Sequence, residues 1–315
     1  LKHRNYKSKN GLFIPSFTKC VMEFQILKYI KKSILLFSLA GMLTACEKEI
    51  TVDLPPSKKF MVVEAYVNDT FPWMNYCILS QTVDYFNPSL EIPGIGGALV
   101  FVTEGEKVGN DTIWDLSSKT QWIEISLDSI RGLYFNSNGE VGKRGKLYKM
   151  EIDVNGQNFT AVTSIPEKVY LDSLYFDWRF KNRSGNPDTF AFLKSYFSDP
   201  AGMGNNYRAM YYVGADTLAL TWGDIRTSDG IFDDSRNDGM QWVLEYGREF
   251  RIQDTLSYYL ISIDRPSYFF WDSYFTVRNN GGPFATPAQM STNFSGPNVI
   301  GAFSGFAVDF KRRIL

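Results

Sequence analysis

The chain has 315 residues, with 33 Lys and Arg against 34 Asp and Glu, one histidine and three cysteines. Eight of the basic and one of the acidic residues fall in positions 1–45, so residues 46–315 carry 25 basic and 33 acidic residues, a net charge of −8; nucleic acid and anionic lipid are met by basic patches and are not expected partners. The histidine is His3, so residues 46–315 hold no Ser-His-Asp triad, Cys-His pair or imidazole-ligated zinc, and any hydrolysis would fall to paired carboxylates, which spacing alone does not single out.

From the N-terminus, Lys28, Lys31 and Lys32 precede a ten-residue apolar run, Ile34–Leu43. That is about half the ~20 residues a membrane-spanning helix needs, and it suits the core of a signal peptide behind a basic flank. The run closes on Leu43-Thr44-Ala45-Cys46, which resembles the lipobox of bacterial lipoprotein precursors: an aliphatic residue, two small ones, then the cysteine that takes the lipid. Met22 to Ala45 makes a complete signal peptide, so residues 1–21 are expected to be an upstream over-extension and the mature chain to begin at Cys46, the lipidation site. Several acyl chains hold a protein to a membrane far better than one. Beyond Cys46 the remaining thiol is Cys77, so no intrachain disulfide is expected.

Strand signals follow almost without interruption. Phe60–Val67, Tyr76–Gln81 and Ala98–Val102 are β-rich runs, and Gly94-Ile95-Gly96-Gly97 before the third reads as a turn, since it lacks the full dinucleotide fingerprint. Tyr148, Met150, Ile152 and Val154 alternate with Lys149, Glu151 and Asp153, the period of a half-buried strand. Asn155-Gly156 then predicts a two-residue hairpin turn, with Phe159, Ala161 and Thr163 on the return arm. These strands predict an immunoglobulin-like β-sandwich over residues 46–166, ending at Ile165-Pro166 because proline interrupts ladder pairing. Residues 167–315 read as a second β-rich domain, with strands over Phe190–Phe197, Tyr207–Val213, Gln241–Tyr246 and Ser257–Ile263. One helix is expected there, with Ser267 as N-cap, a stripe of Tyr268, Trp271 and Phe275, and an end at Asn280-Gly281. The fold class is therefore all-β, mainly antiparallel, and a junction at Pro166 would let residues 46–165 fold alone.

Three patterns invite a functional reading. In Asp234-Ser-Arg-Asn-Asp238-Gly239 the acidic residues, with Glu245, fall at positions 1, 5 and 12 of a calcium loop, but Arg236 occupies a ligand position, so a solvated turn is the expectation and no metal or cofactor is assigned. The triplet Asp-Ser/Thr-aliphatic is similar to the O-glycosylation sequon of exported Bacteroidota proteins and occurs at Thr112, Ser129, Ser173, Thr217 and Thr255; a turn leading into a strand also suits it. Seven tryptophans (Trp73, Trp114, Trp122, Trp178, Trp222, Trp242 and Trp271) are expected mainly in the core, with a sugar- or partner-stacking platform as the sharper reading.

The blocks CEKEITVDLP, TSIPEKVYLDSLYFD, DPAGMGNNYR, LISIDRPSYFFWDSYF, GGPFATPAQMSTNF and VIGAFSG resemble, in order and spacing, an outer-membrane lipoprotein family of Bacteroidota known as a domain of unknown function. The resemblance implies a two-domain β-rich lipoprotein, often encoded beside TonB-dependent receptors, and supplies no catalytic residue. The expectation is a non-enzymatic outer-membrane lipoprotein at the cell surface that assists such a receptor in nutrient uptake. The acidic cluster Glu47-Lys48-Glu49 after the cysteine fits surface export. The alternatives are a stand-alone glycan-binding or adhesion lipoprotein and, third, a carboxylate-based hydrolase.

Overall fold

The structure, a computed structural model, describes residues 58–83, 93–125, 131–183, 186–214, 230–280 and 289–315. The first half holds β1 (Met61–Asn68), β2 (Tyr76–Gln81), β3 (Leu99–Val108), β4 (Asp111–Trp114), β5 (Thr120–Glu124), β6 (Leu133–Asn136), β7 (Leu147–Val154) and β8 (Gln157–Ser164). The second holds β9 (Leu171–Arg183), β10 (Asn186–Ser198), β11 (Asn206–Val213), β12 (Ile231–Asp233), β13 (Gln241–Arg251), β14 (Thr255–Ile263), helix α1 (Arg265–Asn279), β15 (Phe294–Ser295) and β16 (Val299–Ile314). The chain is all-β, and α1 is the single α-helix among the described residues.

Thirteen of the described strands form one sheet in the order β12-β11-β14-β16-β1-β2-β6-β5-β3-β7-β8-β15, with β4 paired to β3; β13-β10-β9 form a second. The pairing is antiparallel except between β1 and β16, which run parallel from Met61↔Val299 to Asn68↔Phe306. From Phe306 onward β16 passes to β14 and pairs antiparallel as far as Ile314. One strand of 16 residues thus joins the two halves of the sequence in a continuous ladder. Residues 57–315 accordingly form one compact unit, and the sheet passes across the expected junction at Pro166. Gly301 permits the close β1–β16 approach: its φ is +123°, and a Cβ there would lie 1.8 Å from the Val63 carbonyl oxygen.

Alternation along the strands produces three cores. Val63, Ala65 and Val67 of β1 point with Leu79, Val100, Trp122, Met150, Phe159 and Phe303 into the first. Each such side chain contributes about 1.5–3 kcal/mol by leaving water. The opposite face of the sheet builds the second core from Tyr66, Tyr76, Met210, Tyr259, Ile261 and Phe306, against which Tyr268 and Trp271 of α1 pack. The third core lies between β11 and β14 on one side and β9, β10 and β13 on the other, around Tyr207, Tyr211, Tyr258, Leu193, Phe197 and Tyr246. Strand β14 is buried at all nine positions because it serves the second and third cores with alternate residues.

The hairpin at Asn155-Gly156 forms as expected, both residues having positive φ (53° and 71°). The helix starts earlier than expected. Asp264, not Ser267, is its N-cap and accepts from the Ser267 amide, while Asn280 closes it. The reason is tertiary: Asp264 also accepts from Thr163 Oγ1 and the Ser164 amide, both at 2.9 Å, so one carboxylate caps α1 and fastens it to β8. Pro266 then occupies the first turn, where its missing N–H costs nothing.

Candidate functional site

Three places gather polar side chains. The first is formed by the loop after β10 and the loop before β13, which bring Asp199, Asp234 and Asp238 within 4.8 Å of one another, oxygen to oxygen. Two of the three, Asp234 and Asp238, come from the segment with calcium-loop spacing that was expected to be a solvated turn. Glu245 is not with them: it stands on β13 and pairs with Lys194 across the ladder. The carboxylates are engaged by the chain itself. Asp234 accepts from the amides of Gly204 and Asn205, Asp199 from the Tyr207 hydroxyl and the Gly239 amide, and Asp238 from the Gly202 amide. Backbone donors that neutralise the charges and pin two loops together make this a structural knot.

The second place is a crevice of about 240 Å³ beside the knot, lined among others by Glu167, Asn205, Tyr207, Ser262, Asp264 and Arg265. Two of its charged members are committed to structure as well: Asp264 holds α1, and Arg265 donates to Asn206 and Asp233.

The third lies on the face of the sheet under α1. Arg208 of β11 points into the second core beside Met210 and is 6% exposed. Its guanidinium carbon sits 3.7 Å from the ring centre of Trp271, in a face-on cation–π contact. Its Nε and Nη1 have no hydrogen-bond acceptor, and Trp271 Nε1 has none either. The groups acting on the guanidinium are Tyr66, Glu64 and Tyr76 of β1 and β2, and burial alone pulls it below its ordinary value. Glu64 is partly buried and accepts from Tyr66 Oη at 3.0 Å and Tyr76 Oη at 3.5 Å. Burial lifts its carboxyl above the ordinary value, against the opposing pull of Tyr66, Arg208 and Tyr76.

Arg208 and Glu64 were not singled out by sequence reasoning. The signal was a lone cation inside an otherwise uncharged strand, Tyr207 to Val213, and a lone carboxylate inside Phe60 to Val67. The other predicted positions are dispersed. Thr112 on β4 and Ser173 on β9 are exposed, Thr255 on β14 is buried, and Ser129 and Thr217 lie outside the described residues. Trp122 is a core residue, Trp114, Trp242 and Trp271 are partly buried, Trp73 and Trp178 are exposed, and Trp222 lies outside the described residues. Gly97, with φ +75°, makes the expected turn, and its amide is held by Glu124. Cys46 and the segment before it also lie outside the described residues. Among those that are described, no helix is long and apolar enough to cross a membrane. Comparison with known proteins finds no matching family model, no similar curated protein and no similar solved structure.

Proposed function

We propose that the chain is an outer-membrane lipoprotein, anchored through Cys46 and displayed at the cell surface, that acts without catalysis as a ligand-binding or accessory partner of a TonB-dependent receptor in nutrient uptake. The observation that carries the reading is the pairing of Leu43-Thr44-Ala45-Cys46, at the end of a short apolar run, with a β-rich body whose own thiol is inaccessible. Cys77 is fully buried in the first core, and burial drives its thiol far up from the ordinary value, so it offers no competing site for acylation or exchange.

The binding role is supported by how the polar side chains are spent. Residues 46–315 contain no histidine. The Asp199, Asp234 and Asp238 carboxylates take hydrogen bonds from amides and a phenol, whereas the Arg208 guanidinium keeps donors without acceptors. The partner rests on the family resemblance. Extraction in mild detergent followed by identification of co-purifying proteins tests it, with cross-linking in intact cells mapping the contact. A TonB-dependent barrel cross-linked to residues 167–315 supports the reading, and none above background removes the receptor from it. A glycan-binding or adhesion role is the second reading, favoured by the exposed rings of Tyr175, Trp178 and Phe180 along β9 and of Tyr170 just before it.

A further inference from the structure

We propose that β9 is a self-association edge: two copies of this chain pair antiparallel along it, about a two-fold axis at Trp178, and join their three-stranded sheets into one continuous sheet. The inference goes beyond the function above and does not rest on it. It gives the exposed rings along β9 a different occupant from the glycan of the second reading.

The outermost strands of the large sheet are short, β12 with three residues and β15 with two, and short edges resist pairing with another chain. Strand β13 is kinked by a bulge between Glu245 and Glu249, a second way to blunt an edge. Strand β9 has neither protection over most of its length. It is 13 residues long, and among the described residues the strand that pairs with it is β10, on one side. Its irregularity falls at Asp172, and the Leu171 amide is taken by Asp309, so the open stretch begins after both. Along that stretch alternate N–H and C=O groups face away from β10. Tyr175 and every residue from Trp178 to Asn182 are exposed, and the rings of Tyr175, Trp178 and Phe180 are 55%, 45% and 69% accessible.

The charge pattern selects both the partner and the register. Directly opposite residues of an antiparallel pair share a face, with Cβ atoms about 4.5–5.5 Å apart. In a two-fold pair centred on residue 178, Asp177 of each copy faces Arg179 of the other. Lys181 then faces Tyr175, Phe176 faces Phe180, and the two Trp178 side chains meet on the axis. No like charges are opposed from Leu174 to Asn182. Moving the centre by one residue sets Asp177 against Asp177, or Arg179 against Arg179, so the neighbouring registers are disfavoured. Within one copy Arg179 donates to Asp177 at 2.7 Å, an exposed pair that exchanges partners at little cost. The position of the axis also leaves room for two bodies. Arg179 is level, through Phe190, with Arg251, the last residue of β13, so the axis lies at the far end of the sheet from Leu171. The two copies extend away from it in opposite directions, and the self-complementary contact closes as a dimer.

Sedimentation velocity of the whole protein in mild detergent tests the proposal. The unaltered protein should show a reversible monomer–dimer equilibrium. Asp177→Arg and Arg179→Asp should each weaken self-association roughly tenfold or more, since each sets like charges opposite one another twice in the pair. Mixed one to one, the two variants should dimerise with each other, because every facing pair is then Arg against Asp. Two copies that merely share a micelle would be indifferent to these charges. Neither position is buried, so both variants should fold. Trp178→Cys should give a disulfide-linked pair on mild oxidation, its opposed Cα atoms lying within the roughly 4.4–6.8 Å that a disulfide accepts. Tyr175→Cys should not, since six residues at about 3.4 Å each put it about 20 Å from its own copy. Cys77 is 0% exposed and does not compete. An unaltered protein that stays monomeric up to about 100 μM, a weak limit on the affinity scale, overturns the proposal. So does self-association unmoved by either charge variant, a failure of the two variants to pair on mixing, or cross-linking through Tyr175→Cys in place of Trp178→Cys.

Discussion

Replacing Asp264 by alanine should destabilise the protein by about 3–5 kcal/mol, and the structure shows where that figure comes from. The carboxylate caps α1 through the Ser267 amide at 3.0 Å, an interaction worth about 1 kcal/mol. Its other oxygen takes Thr163 Oγ1 and the Ser164 amide, and Thr163 Oγ1 in turn accepts from the Gly305 amide at 2.8 Å. Alanine leaves a buried hydroxyl unanswered, at about 1–3 kcal/mol, and a half-buried amide, at about 1 kcal/mol. The change cuts the tie between β8, β16 and the helix that carries Trp271. Its pH dependence has a defined sign. Burial raises the Asp264 carboxyl above its ordinary 3.8, so the folded state holds this proton more tightly than the unfolded chain does. The proton-linked part of the stability, which is separate from these hydrogen bonds, is full below 3.8 and is lost as pH rises through the raised value. Urea unfolding across that window measures both effects. Asp264→Asn should lie between the parent and alanine and lose the slope. A loss below about 1 kcal/mol in the alanine variant at neutral pH would refute the reasoning, because a cap alone accounts for that much.

A chain ending at Ile165 lacks β16, so β1 loses eight parallel pairs and the first core loses Phe303 and Ala307; it should fail to give a cooperative thermal transition. A native-like melt from that fragment would support an independent domain ending at Pro166. Chelator should leave the melting temperature of the whole protein unchanged, since amides and the Tyr207 hydroxyl satisfy Asp199, Asp234 and Asp238; a large downward shift would make the knot a cation site. Iodoacetamide should leave Cys77 unlabelled until the chain is unfolded in urea, because the thiol is 0% exposed.

What could be read in the sequence was local. The β7–β8 hairpin announced itself because alternation and Asn-Gly coincide within 18 residues, and Tyr76–Gln81 matched β2 end to end. The parallel pairing of β1 with β16 left no such trace, since its partners lie 238 positions apart and neither strand carries a mark of the other. Strand β9 was legible but passed over: Leu174, Phe176, Trp178 and Phe180 alternate with Tyr175, Asp177, Arg179 and Lys181. The helix start was misplaced because Asp264 is chosen by β8 as much as by the helix. Arg208 was hidden for a related reason. Both faces of β11 are buried, so its strand shows no alternation against which a cation would stand out as inward-facing.

The anchor is the premise on which location and partner both rest, and the mass of the mature N-terminus tests it most directly. Intact mass spectrometry of the protein extracted from membranes should show a chain beginning at Cys46 and carrying acyl groups, and Cys46→Ala should yield an unprocessed, unacylated precursor. An unmodified Cys46, or a mature chain that begins at another residue, would contradict the account.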